Sequence, residues 1–231
     1  MTERDTATTS ELRFLASRSA GEVSAILLRP ASARWLYVFG HGAGAGMRHH
    51  FMEDAASALA TRGIATFRYQ FPYVEARSRR IDPQPILLAT VRAAVEAAHG
   101  AAPDLPLIAG GKSMGGRMTS LAASKEPLPE VKGIAFTGFP LHPAGAPGVS
   151  RADHLAQVTV PMLFLQGTRD TLADLDLLRP IIDQLGARAT LHVVDGADHG
   201  FGVLKRSGRN PADVMDELTR TMEGWAESLP R

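Results

Sequence analysis

The most constraining feature of this sequence is a short apolar run that ends in a serine flanked by glycines. Leu107, Ile108 and Ala109 lead into Gly111-Lys-Ser-Met-Gly115, which has the spacing G-x-S-x-G. Between a buried strand and a helix, this spacing forces a sharp turn that holds the serine in a strained backbone conformation. Only glycine leaves enough room two positions to either side. The stretch therefore predicts a strand, a tight turn that exposes the Ser113 hydroxyl, and a helix.

Two nucleotide-binding motifs overlap this pattern in part, and neither fits. Gly-Lys-Ser at 111–113 could end a phosphate-binding P-loop, but that motif needs glycine at position 106, which is Pro106. The segment Gly40-His-Gly-Ala-Gly-Ala45 matches a loose dinucleotide fingerprint, yet the next predicted strand ends in Tyr69-Gln-Phe71 without an acidic residue for a ribose. We expect no organic cofactor and no metal.

Apolar runs alternate with helical patterns along most of the chain. This alternation favours a parallel sheet, because successive parallel strands are joined by helices. We predict one α/β domain over residues 11–231, with a mostly parallel central sheet, helices on both faces and no large cap domain, after a disordered tail at 1–10. An antiparallel hairpin of residues 12–16 and 23–28 is expected at the sheet edge. Further strands are predicted at 35–39, 65–69, 107–109, 131–136, 161–166 and 190–194, and helices at 50–62, 86–98, 174–185 and 211–229 and after Ser113.

Charge and cysteine content limit the partners of the chain. Lys and Arg number 25 against 24 Asp and Glu, so the formal net charge of +1 gives no overall attraction to nucleic acid or an anionic membrane. The absence of cysteine suits a reducing compartment. The N-terminus lacks the apolar core of a signal peptide, and no apolar run is long enough to span a membrane. We expect a cytoplasmic protein with a small-molecule substrate, as a monomer or a homodimer.

A serine becomes a useful nucleophile when an imidazole takes its proton and a carboxylate orients the imidazole. In a parallel sheet such partners should follow the carboxyl ends of strands. Asp170 follows the predicted strand 161–166, and His199 follows 190–194. The chain order serine, acid, histidine is the one that accompanies this serine motif. We therefore predict Ser113, Asp170 and His199 as a catalytic triad, with Asp195 and Asp198 as alternative acids.

Acyl transfer also requires donors for the oxyanion, and large side chains to wall a pocket. The predicted donors are the backbone N–H of Met114 and that of Ala43 or Gly44, in the glycine-rich loop after the strand 35–39. The candidate pocket residues, each of which could equally be a packing residue, are Met47, Phe71, Tyr73, Phe139 and Phe201. The basic residues that could surround the mouth and favour an anionic acyl group, or simply form a solvated face, are Lys112, Arg117, Arg169, Arg77, Arg79 and Arg80.

Four segments together resemble a known family. They are His41-Gly-Ala-Gly44, Gly110-Gly-Lys-Ser-Met-Gly-Gly-Arg117, Gly167-Thr-Arg-Asp170 and Asp198-His-Gly-Phe201. Over about residues 20–228 the chain resembles the α/β-hydrolases, and within them the dienelactone-hydrolase-like branch that includes the KANL3/Tex30 family. The resemblance implies an α/β-hydrolase fold. Dienelactone hydrolases use a cysteine nucleophile, so Ser113 departs from their pattern and argues against their substrate.

These observations predict a serine hydrolase of the carboxylesterase or thioesterase kind, which cleaves a small carboxylic ester or thioester through an acyl-enzyme. The alternative is a non-catalytic interaction module that keeps the hydrolase fold, because some members of the KANL3/Tex30 group are interaction subunits of chromatin-associated complexes. A peptidase is a third possibility, but peptidases of this fold usually carry a propeller or cap.

Overall fold

The computed structural model describes residues 6–230. One eight-stranded sheet has the strand order β1-β2-β4-β3-β5-β6-β7-β8. The strands are β1 (Thr8–Ser17), β2 (Gly21–Arg29), β3 (Trp35–Gly40), β4 (Ile64–Tyr69), β5 (Leu107–Lys112), β6 (Val131–Thr137), β7 (Met162–Gly167) and β8 (Ala189–Val194). The helices are α1 (His50–Ala60), α2 (Pro72–Glu75), α3 (Gln84–Ala101), α4 (Met114–Lys125), α5 (Leu175–Leu185) and α6 (Pro211–Glu227). All neighbours from β4 to β8 are parallel, whereas β2 pairs antiparallel with both β1 and β4.

Helices cover both faces of this sheet, as the apolar runs predict. Every residue of β3 is buried, and its side chains alternate between two hydrophobic clusters. Trp35 and Tyr37 pack in the cluster that contains residues of α1 and α6. Leu36 and Val38 pack in the cluster that contains residues of α3, α4 and α5. Burial on both faces explains why β3 is apolar throughout rather than at alternate positions.

The antiparallel hairpin predicted at the edge is confirmed, but the disordered tail predicted over residues 1–10 is wrong at residues 8–10. These residues begin β1, where Thr8 and its neighbours pair with the end of β2 at Arg29. Backbone pairing needs no apolar side chain, so the polar composition of the segment gave no sign of it. Residues 1–5 of the predicted tail lie outside the described residues.

The connection between β6 and β7 covers residues 138–161 and carries a 3₁₀ helix, Ser150–Gln157, that the sequence pattern did not predict. The described residues contain no large cap domain at this or any other strand end. Within residues 6–230, no helix is both long enough and apolar enough to cross a membrane.

Candidate active site

Ser113 occupies the sharp turn between β5 and α4, here called the nucleophile turn (residues 111–115). Its backbone angles are φ 50° and ψ −112°, which lie outside the regions that a residue with a side chain normally adopts. The flanking glycines allow the turn to pack against the end of β3. A Cβ atom on Gly111 would lie 2.4 Å from the carbonyl oxygen of Gly40, and one on Gly115 would lie 2.2 Å from the same atom. The G-x-S-x-G spacing is therefore a steric requirement of this packing.

Ser113, His199 and Asp170 form one continuous hydrogen-bonded chain. The Ser113 Oγ lies 2.8 Å from His199 Nε2, and His199 Nδ1 lies 2.7 Å from Asp170 Oδ2. The three residues follow β5, β8 and β7, whose carboxyl ends meet at the same edge of the sheet. A carboxylate can only accept, so Nδ1 carries the imidazole proton and leaves Nε2 free to accept the proton of the serine. The structure thus brings together the three residues predicted as a triad.

Asp170 is held by more than the histidine. Its side chain is 0 % exposed, whereas that of His199 is 23 % exposed. The Gln166 side-chain amide donates to Asp170 Oδ2, and the Leu172 N–H donates to Oδ1 at 2.8 Å. The side-chain oxygen of Gln166, Oε1, accepts a hydrogen bond from the N–H of Phe139 at 2.9 Å. Sequence reasoning missed Gln166, although a polar side chain inside the apolar strand β7 was a usable signal.

The two alternative acids stabilise turns instead. Asp198 Oδ1 accepts the N–H groups of Gly200 at 2.9 Å and Gly202 at 2.8 Å, inside the loop of residues 195–202 that follows β8 (the histidine loop). Asp195 Oδ1 lies 3.4 Å from the hydroxyl of Thr168. Both carboxylates therefore bond to groups other than the imidazole of the triad.

The loop after β3, residues 41–46, lies beside the nucleophile and is called here the oxyanion loop. A Cβ atom on Gly42 would lie 3.8 Å from the Cβ of Ser113. His41 fixes the start of this loop, because its Nδ1 donates to the Gly42 carbonyl at 2.8 Å and its Nε2 accepts the Phe71 N–H at 3.1 Å. Burial lowers the pKa of His41 to about 4, which keeps the imidazole neutral and in this tautomer.

The predicted oxyanion donors differ in availability. Met114 is the first residue of α4, so its N–H has no acceptor within the helix. Ala43 is exposed, and among residues 6–230 its N–H donates to no protein acceptor. The N–H of Gly44, in contrast, donates to the Tyr73 hydroxyl at 3.1 Å. The N–H of Gly44 is therefore already paired, and the arrangement favours Met114 with Ala43.

The predicted pocket wall is largely wrong. Phe71 and Phe139 are 0 % exposed and so offer no surface to a substrate; Phe71 packs edge-on against His41, and Phe139 packs against aromatic residues of the core. Tyr73 is buried too, and its hydroxyl holds the oxyanion loop. Met47 and Phe201 each reach the wall of a surface cavity. These aromatic residues shape the site mainly by packing beneath its loops.

Two surface cavities lie near the triad, and Ser113 lines neither of them. One, of about 710 Å³, lies between α1 and α6 and is lined by residues that include Phe51 and Phe201. The other, of about 490 Å³, is lined by residues that include Asp170 and His142. The first cavity adjoins the histidine loop through Phe201, and the second adjoins the acid of the triad.

The basic residues do not form the predicted ring around a mouth. Lys112 is wrong as a mouth residue, because its Nζ lies behind the histidine loop and donates to the backbone oxygen of His199. Arg169 donates to the Gly196 carbonyl at 3.0 Å, and Arg117 is partly buried. The exposed arginines of the predicted set are Arg77, Arg79, Arg80 and Arg169. The charge pattern of the sequence did not reveal which of these side chains folds inward.

Comparison with known proteins supports the fold. Residues 33–227 match the family model described as an alpha/beta hydrolase domain. A dienelactone hydrolase from Anabaena variabilis is 19 % identical, with a TM-score of 0.74 over 97 % of this chain and 99 % of that chain. A lidless α/β serine hydrolase from Xanthomonas campestris is 21 % identical, with a TM-score of 0.72 over 96 % of both chains. The esterase domain of a Rhodothermus marinus protein is 17 % identical, with a TM-score of 0.72 over 96 % of this chain and 99 % of that chain.

These structural neighbours establish likeness of fold, and the narrower resemblance to the KANL3/Tex30 group stays a prediction. The family match covers the nucleophile turn, the acid and the histidine loop, together with the six strands from β3 to β8. The chain therefore belongs to the alpha/beta hydrolase family.

Proposed function

We propose that this protein is a serine hydrolase that cleaves a small carboxylic ester or thioester through an acyl-enzyme. The observation that carries the proposal is the continuous chain from Ser113 Oγ through His199 to the buried Asp170. Ser113 itself lies in a strained turn that presents its hydroxyl at the end of β5. The esterase and serine hydrolase names of its structural neighbours are consistent with this chemistry.

In the first half of the reaction, Ser113 Oγ attacks the carbonyl carbon of the substrate while His199 Nε2 takes the hydroxyl proton. The buried Asp170 stabilises the imidazolium that forms. The N–H groups of Met114 and Ala43 donate to the oxyanion of the tetrahedral intermediate. The intermediate collapses when His199 returns the proton to the leaving alcohol or thiol, and the acyl group stays on Ser113.

In the second half, a water molecule replaces the leaving group. His199 Nε2 removes a proton from the water as its oxygen attacks the acyl carbon. The second tetrahedral intermediate releases the carboxylic acid, and the proton on His199 returns to Ser113 Oγ. The chemistry is balanced by the triad and water alone.

The test is intact-mass analysis after incubation with a fluorophosphonate, which phosphonylates an activated serine. We expect one adduct on the wild type and none on Ser113→Ala, while Ser124→Ala, a substitution later in α4, labels like the wild type. The kcat for p-nitrophenyl acetate should fall by about 10⁴-fold or more in Ser113→Ala, because the triad acts as a unit. A folded wild type that takes no label would refute the proposal and favour a non-catalytic interaction module. Comparing kcat/KM for matched acetyl esters and thioesters then assigns the substrate class.

A further inference from the structure

Lys112 makes an unusual connection across the site. It is the last residue of β5, directly before Ser113, and its Nζ donates to the backbone carbonyl oxygen of His199. The nucleophile and the histidine are thus joined twice, once through their side chains and once through Lys112. The hydrogen bond from Lys112 involves neither the Ser113 hydroxyl nor the imidazole nitrogens, so it does not depend on where their protons are.

The ammonium group sits in a fitted environment. Its Nζ lies 5.0 Å from the ring centroid of Phe201 and 5.5 Å from that of Phe51, and these two rings stack with centroids 5.9 Å apart. Gly138 leaves space on another side, since a Cβ there would lie 3.0 Å from Lys112 Nζ. Aromatic faces attract a cation, so the pair of rings holds the ammonium in place without neutralising it.

The charges around this ammonium come from three loops. The carboxylates of Asp170, after β7, and Asp198, in the histidine loop, attract it. His49, at the start of α1, is the imidazole outside the triad that faces it. Burial lowers the pKa of Lys112 to about 8, so the group stays largely protonated at neutral and acidic pH.

The same ammonium lies close to the imidazole of His199. The hypothetical Cβ on Gly138 that would lie 3.0 Å from Nζ would also lie 3.4 Å from His199 Cε1 and Nδ1. One small gap thus separates the ammonium from the ring that must become charged during catalysis. Lys112 is therefore placed to fix both this ring and the backbone carbonyl of the residue that carries it.

We propose that Lys112 is a positioning residue that anchors the histidine loop to the nucleophile turn and so fixes the imidazole of His199 against Ser113. This inference rests on the proposed hydrolase function. The histidine loop has no regular secondary structure, and Asp198 stabilises it from within, through Gly200 and Gly202. Its other hydrogen bonds lead to the end of β7, where the Gly196 N–H donates to the Thr168 hydroxyl and the Arg169 N–H donates to the Ala197 carbonyl, both at 2.8 Å. The hydrogen bond from Lys112 therefore fixes the position of the loop relative to the end of β5.

The experiment compares kcat and KM of Lys112→Met, Lys112→Gln and the wild type for p-nitrophenyl acetate at about pH 7, where the Lys112 ammonium is largely protonated. Methionine keeps an unbranched apolar side chain beside the two rings but removes both donor and charge, while glutamine keeps an N–H donor without the charge. Lys125→Met, an exposed lysine at the end of α4, is the matched control. Circular dichroism and melting temperature report whether each variant is folded.

We expect Lys112→Met to lower kcat by about 10- to 100-fold with KM nearly unchanged, because a displacement of about 1 Å at the reacting atoms can cost 10²-fold. Lys112→Gln should lose less. The difference between the two variants reports the hydrogen bond, since only glutamine keeps a donor for the His199 carbonyl oxygen. Loss of packing alone would lower kcat equally in both variants.

The failures of this inference and of the proposed function are distinguishable. A wild type without esterase activity or fluorophosphonate label refutes the function. An active wild type with kcat unchanged in both folded Lys112 variants overturns the positioning role. So does a fall in kcat that is equal in the two variants, because that pattern indicates packing rather than the hydrogen-bond donor.

Discussion

Replacing the strained serine by glycine should stabilise the protein while it abolishes the activity. At φ 50° and ψ −112°, Ser113 is in a conformation that costs about 1–3 kcal/mol for a residue with a Cβ. Ser113→Ala keeps this strain and removes only the hydroxyl. Ser113→Gly relieves the strain, at a cost of about 0.5–1 kcal/mol for ordering glycine. The difference between the two variants should be about 1 kcal/mol in favour of glycine.

For a chain of 231 residues, about 1 kcal/mol corresponds to a change in Tm of about 2–4 °C. Differential scanning calorimetry should therefore find Ser113→Gly melting above Ser113→Ala by that amount, with both variants inactive. Ser10, an exposed residue of β1 without a positive φ, gives the control pair. There the glycine variant should be the less stable of the two. If Ser113→Gly melts at or below Ser113→Ala, the turn stores no strain and the argument from its backbone angles is refuted.

Three further predictions concern the groups around the triad. Gln166→Met should lower kcat about 10-fold and lower the free energy of unfolding in urea by about 1–3 kcal/mol. The change removes the side-chain donor to Asp170 and leaves the buried N–H of Phe139 without its acceptor. An unchanged kcat would contradict this prediction. Gly115→Ala should abolish fluorophosphonate labelling, since its Cβ would lie 2.2 Å from a β3 carbonyl oxygen, whereas Gly224→Ala in α6, with open space, should label normally. His41 has its pKa lowered from 6.5 to about 4, so the folded state binds its proton less readily than the unfolded state. The neutral His41 therefore contributes on the order of 3 kcal/mol to the free energy of unfolding above pH 6.5, and this contribution is lost as the pH falls through 4. In urea titrations of His41→Gln, the free energy of unfolding should depend less on pH between 6.5 and 4 than in the wild type.

The strand ends of this fold were predictable because they combine two independent signals. A buried parallel strand requires a continuous apolar run, and the residue types that follow β5, β7 and β8 have little reason to occur together outside catalysis. Ser113, Asp170 and His199 could therefore be placed at one edge of the sheet from chain order alone. The structure brings their side chains within hydrogen-bonding distance.

Side-chain direction was not predictable in the same way. Phe71 and Phe139 follow strands just as pocket residues do, yet both turn inward, because the loops above them need apolar support. Lys112 carries a charge that suggests solvent, but the gap at Gly138 and two aromatic rings accommodate it behind the histidine loop. Whether a side chain points inward depends on contacts between segments that are distant in sequence. The residue pattern of one segment does not show those contacts.

The hydrogen bonds of His41 and Tyr73 have a consequence for redesign. The segment after β4 reaches the oxyanion loop at two points, through the Phe71 N–H on His41 and through the Tyr73 hydroxyl on Gly44. A loop that lies at the mouth of an enzyme is the usual place to broaden substrate range by mutation. In this protein, remodelling residues 71–73 would also shift the donors that stabilise the transition state. We expect selection for new substrates to succeed more readily in the exposed residues 143–147 between β6 and β7, because these lie beyond Gly138 and Phe139, which contact the groups around the triad.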